Sequence, residues 1–149
     1  MKLDELQRDI LLPQIDAFLA AAPDAAARAQ YATLRAAIAA LEVPEALSER
    51  LGAIAEVLLS SGRVRDTHGP GANLALWALF QATPRGRGIL ASVAGVNAAL
   101  KRLEGQTLEF VSAVARAPGV YSLTLKNAEM QLILRFEPSG VRIESAEVG

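Results

Sequence analysis

The spacing of apolar residues changes once along this chain, at Gly105: before it they recur at helical intervals, and after it they alternate like strand. A chain written this way has helix stripes and a sheet face to bury, so the expected fold is α+β. An N-terminal bundle of about five helices (residues 3–104) is expected to pack on a C-terminal antiparallel β-meander of three to four strands (residues 107–148). At 149 residues the whole is expected to form one domain, helical over residues 1–105 and β over residues 106–149.

Within the helical region, Leu3, Leu6, Ile10, Leu11, Ile15, Phe18 and Leu19 line one amphipathic stripe. Pro13 lies inside it, and its missing amide proton predicts a kink near Leu12 or two short helices in line. Ala27, Tyr31, Leu34, Ile38 and Leu41 repeat at alternating intervals of four and three, as do Leu47, Leu51, Ile54 and Leu58 after Pro44. The short link around Glu42 and Val43 predicts a helical hairpin over 24–60. A polar loop is expected from Ser60 to about Gly71. A helix from Leu74 to Ala82, capped by Asn73 and apolar around most of its circumference, is expected to be buried at the centre of the fold. Residues 83–88 read as a second loop. A last helix then carries Ile89, Val93, Val96, Leu100 and Leu103, with Lys101 and Arg102 at its negative end and Gly105 as its stop.

Beyond Gly105, Leu108, Phe110 and Val114 alternate with Thr107, Glu109 and Ala113, although Leu108, Val111 and Ala115 fit a helical stripe as well. Three further segments alternate: Tyr121, Leu123 and Leu125; Met130, Leu132, Leu134 and Phe136; Val141 and Ile143. Pro118-Gly119, Asn127-Ala128-Glu129 and Pro138-Ser139-Gly140 separate them as turns. The meander should have one apolar face, holding Tyr121 and Phe136, and one wet face carrying Glu109, Lys126, Arg135, Arg142 and Glu144.

Apolar residues form 52% of the chain and charged ones 21%, which excludes the composition of a disordered protein. A net charge of −1 supplies no field toward nucleic acid or an anionic bilayer, and aromatic side chains turned into the core leave nothing for bases to stack on. Neither nucleic acid nor membrane is expected as a partner. Absence of cysteine removes disulfides, thiolate metal sites and cysteine nucleophiles, and a single histidine cannot assemble a zinc site, so no metal or cofactor is expected. Asp4 and Glu5 stand where a secretory signal would be apolar, and no run of about 18 apolar residues occurs. The expectation is a cytoplasmic protein.

Two groups of residues could carry chemistry. His68, with Asp66 to orient it, has the makings of a general base, since an imidazole titrates near neutrality. Arg63 and Arg65 in the 61–73 loop, with Arg85 and Arg87 in the 83–88 loop, would place four guanidinium groups near one small anion or phosphate ligand if the loops converge. Ordinary alternatives are a surface histidine and solvated arginines paired with Asp66 and glutamates. Glu42, Glu45 and Glu49 stand at a helix start, where acids suit the positive dipole end. The leading functional reading is a non-enzymatic protein-interaction or self-associating module, motivated by the apolar excess and an open meander. An anion-binding domain built on the four arginines is the alternative, and an enzyme using His68 and Asp66 comes third.

Overall fold

A computed structural model describes residues 1–149 as an α+β protein of five helices followed by a four-stranded antiparallel sheet. The helices are α1 (Glu5–Ala21), α2 (Ala25–Ala39), α3 (Glu45–Ser61), α4 (Arg63–Ala82) and α5 (Pro84–Lys101). The strands are β1 (Phe110–Ala117), β2 (Val120–Lys126), β3 (Met130–Glu137) and β4 (Gly140–Val148), hydrogen-bonded in sequence order. They fall into two compact units, Met1–Arg87 and Gly88–Gly149. No helix is long and apolar enough to cross a membrane.

In the first unit, Asp4 opens α1 with a capping box: its carboxylate accepts from the Gln7 amide at 2.7 Å while the Gln7 side chain accepts from the Asp4 amide at 3.0 Å. The helix is continuous through Pro13 and does not divide in two. Pro13 and Asp9 are both exposed, so the carbonyl deprived of its helical donor belongs to a solvated residue. The hairpin expected over 24–60 does not form as a pair: α2 packs chiefly on α1, and α3 chiefly on α4. The link itself explains this. Residues 41–43 pair with the N-terminal segment through Leu3 N–H to the Leu41 carbonyl (3.0 Å) and Val43 N–H to the Met1 carbonyl (2.8 Å), and Leu41 takes a positive φ of 59°. Ile10, Leu11, Ile15, Leu34, Ile38, Leu51, Leu58, Leu76 and Phe80 are buried on these helices.

Both expected loops are helical. Arg63–His68 forms the opening turns of α4, Gly69 breaks the helix at φ 85° and ψ 176°, and Pro70 restarts it, so Asn73 is interior and caps nothing. Proline suits a first helical turn because its missing N–H would have no intrahelical partner there. Pro84 opens α5 in the same way, behind Thr83, whose Oγ1 accepts from the Gly86 amide (3.2 Å) and donates to the Phe80 carbonyl (2.6 Å). Nor is the segment 74–82 buried all round. Leu76, Leu79 and Phe80 are buried, whereas Leu74 is 67% exposed and Trp77 38%.

The second unit holds one helical segment, residues 88–101 of α5, against one face of the sheet. Val96 and Leu103, with Ala99 and Leu100, pack on Leu125, Met130, Leu132 and Leu134. The Ser92 hydroxyl donates to the Val141 carbonyl and ties the helix to β4. Burying a leucine such as Leu132 fully is worth roughly 1.5–3 kcal/mol, so this row anchors the unit. At the β2–β3 turn the buried Asn127 side chain accepts from the Glu129 and Met130 amides (2.9 and 2.7 Å).

Two expectations about the sheet are corrected. Residues 107–109 precede the first strand, and its phase is opposite to the one expected: Val111 lies opposite Leu125 and Ala113 opposite Leu123, which puts Phe110 and Val114 on the wet face, opposite Lys126 and Ser122. Tyr121 and Phe136 are not interior. They are 51% and 39% exposed, although they share the face of Leu123 and Leu134. Four strands about 4.8 Å apart present a face wider than one helix of about 10–12 Å diameter can cover, so side chains beyond its reach stay wet.

Leu132→Ala is expected to cost about 2–5 kcal/mol in urea unfolding, through lost burial and a residual cavity, whereas Leu74→Ala should change stability by less than about 0.5 kcal/mol.

Candidate functional site

The four arginines singled out from the sequence all lie in the first unit but do not share one set of partners. Arg85, one residue into α5, donates from Nε to Glu49 (2.7 Å) and from an Nη to Glu56 (2.6 Å), two acids one heptad apart on α3. Donating hydrogen bonds to Glu56 and then Glu49 raises its pKa further above the ordinary arginine value. Arg87 reaches the Ala82 carbonyl (2.9 Å) and Glu45 (3.3 Å). Two of the four charges are therefore neutralised by α3 carboxylates, Glu45 and Glu49 among them, and not by Asp66. This junction is tight: a Cβ on Gly52 would meet Thr83 Oγ1 at 2.8 Å, and one on Gly86 would collide with the Phe80 carbonyl.

Arg63 and Arg65 form no ion pair and are exposed on the first turn of α4. Arg63 stands at a surface groove of about 260 Å³, walled by Ala17, Phe18 and Ala21 of α1 and Val57 and Leu58 of α3, with Gln14 and Ser61 beside it. His68 and Asp66 are likewise exposed. Two residues apart on a helix, they point about 200° away from each other around its axis, and no hydrogen bond joins them. No three histidine, aspartate or glutamate side chains lie close enough to hold a metal ion.

A second candidate lies at the edge of the sheet: the open meander was expected to expose its terminal strands, but which of the two edges is unguarded was not read from the sequence. β1 pairs only with β2, leaving a row of N–H and C=O groups unpaired along its outer side. Both of its faces are open as well: Phe110 is 52% exposed, Val111 57% and Val114 44%. Among its eight residues, FVSAVARA, only Arg116 is charged. The opposite edge, β4, carries Arg142, Glu144 and Glu147 and a bulge against Ile133 and Leu134. β1 has a bulge of its own between Ala115 and Ala117, so charge is what separates the edges: β4 carries three guard charges and β1 a single one near its end. That contrast could have been read from the two strand sequences.

Cross-strand pairing organises the wet face. Arg116 Nε donates to the buried Ser122 hydroxyl (3.3 Å), which donates to Glu144 (3.3 Å), and Glu144 also accepts from Arg135 (3.3 Å). Glu137 accepts from Arg142 (3.1 Å) and lies 2.6 Å from Arg135 Nε, too misaligned for a hydrogen bond, so that buried N–H stays unpaired. Arg116 has no carboxylate of its own. No known protein family, curated protein or solved structure matches this chain.

Around the Arg85 junction, Gly86→Ala should lose about 1–3 kcal/mol by overpacking. Gly88→Ala, in open space two residues on in the same helix, should gain about 0.5–1 kcal/mol. Thermal or urea unfolding of the two single variants checks both signs.

Proposed function

We propose that this protein is a non-enzymatic, cytoplasmic interaction module that associates with a second copy of itself. The observation that supports it is where the exposed hydrophobics fall: of thirteen large ones, eight lie between Leu108 and Val148, beginning with Leu108, Phe110, Val111 and Val114 in and beside the unguarded strand. Unpaired strand edges recruit further strands, and exposed aliphatic side chains on the same segment add apolar burial to the backbone hydrogen bonds. Neither nucleic acid nor a membrane is part of this reading, since Arg135, Glu137, Arg142 and Glu144 are engaged with one another and net charge is −1.

Light scattering on a sizing column at micromolar concentration is expected to give a dimer. Val111→Lys, a guard charge at an exposed position, is expected to give a monomer with an unchanged circular dichroism spectrum. A wild-type monomer at those concentrations sinks the proposal.

The Arg63 groove favours a second reading, a binding site for a small anion with an apolar tail, because the groove's walls are apolar and Arg63 is its one charge and is unpaired. Octanoate at sub-micellar concentration should then raise the melting temperature of wild type but not of Arg63→Gln. An equal shift in both, or none in either, removes this reading.

A further inference from the structure

We infer that two copies join edge to edge through β1, antiparallel and centred on Ala113, to make one continuous eight-stranded sheet; this rests on the self-association proposed above and specifies where and how it occurs. The free groups of a strand edge are satisfied by another strand, and the occupant fitted to this one is the same segment of a second copy. A twofold axis normal to the sheet keeps the faces matched and must lie midway between the two copies of one residue, so the possible registers are few.

Centring on Ala113 sets residues 110 to 116 of the two copies opposite one another within the strand, with Arg116 in the bulge at its end. On the helix-covered face Val111 then meets Ala115 of the second copy, a large side chain against a small one. On the wet face Phe110 meets Arg116. The guanidinium, which has no ion pair within its own copy, lies over an exposed ring that also has no partner, an arrangement favourable at about 6 Å or less. Each such pair occurs twice by symmetry, and no like charges face each other. Shifting the centre to Val114 leaves Phe110 opposite Pro118, beyond the strand. Pairing β1 with β4 of another copy sets its aliphatic residues beside Arg142, Glu144 and Glu147 and makes an open-ended filament, whereas β1 with β1 closes after two copies.

The chain has no cysteine, so single cysteines report the register cleanly. Directly opposite residues in an antiparallel pair have Cβ atoms about 4.5–5.5 Å apart, within easy adjustment of a disulfide. Residues 117 of the two copies, four steps on either side of the axis, would be about 27 Å apart at about 3.4 Å per residue. Under mild oxidation at concentrations where wild type is dimeric, Ala113→Cys should form an intermolecular disulfide at least tenfold faster than Ala117→Cys. Equal rates for the two variants mean a parallel or non-specific contact and overturn the register. Slow Ala113→Cys cross-linking in a protein that light scattering still finds dimeric overturns this inference alone. A monomeric wild type overturns it together with the reading it rests on.

Discussion

A single helix is narrower than the sheet it covers, and the rest of the second unit depends on that mismatch. Residues 88–101 of α5 bury the middle of the apolar face, where Leu125, Leu132 and Leu134 have 9% exposure or less. Beyond the helix, Val111, Tyr121, Phe136 and Ile143 remain between 39% and 57% exposed on that face. The same aliphatic alternation therefore yields a stable core at the centre of the sheet and unsatisfied surface toward its edges. What separates the two edges is charge. β4 has three charged side chains in nine residues, and β1 has one in eight.

Element type was legible wherever periodicity was strong. The amphipathic stripes of α1, α2 and α3 and three of the four strands follow from spacing alone, whereas spacing did not single out the helix carrying Val96 and Leu103 as the one on the meander. Misreadings cluster where glycine and proline were taken as loop markers. In Gly69-Pro70 and Thr83-Pro84 the proline opens a helix, because the first turn has no use for its missing N–H, and the preceding residue supplies the break or the cap. The phase of β1 was misread because Phe110 and Val114 outweigh Ala113 and Ala115 in bulk. Pairing with β2 and the bulge near Ala115 set the register, and neither is local information.

The candidate site was less legible than the fold. Arginines near glycines suggested an anion cradle, but charge balance between α3 and α5 is a tertiary property: Glu49 and Glu56 are 36 and 29 residues from the arginine they hold. Helix geometry likewise separates His68 from Asp66, which a loop could have brought together. The unguarded edge was present in the sequence as an absence of charge on the first strand of the expected meander, against three charges on the last.

Amide hydrogen exchange followed as a function of protein concentration tests the central claim most directly, because it reads the edge itself. Half of the β1 amides point away from β2, and they should exchange rapidly in dilute solution and become protected as concentration rises, while the outward amides of β4 exchange rapidly throughout. Protection in β1 that does not change with concentration, or concentration-dependent protection that appears in β4 instead, would contradict the account.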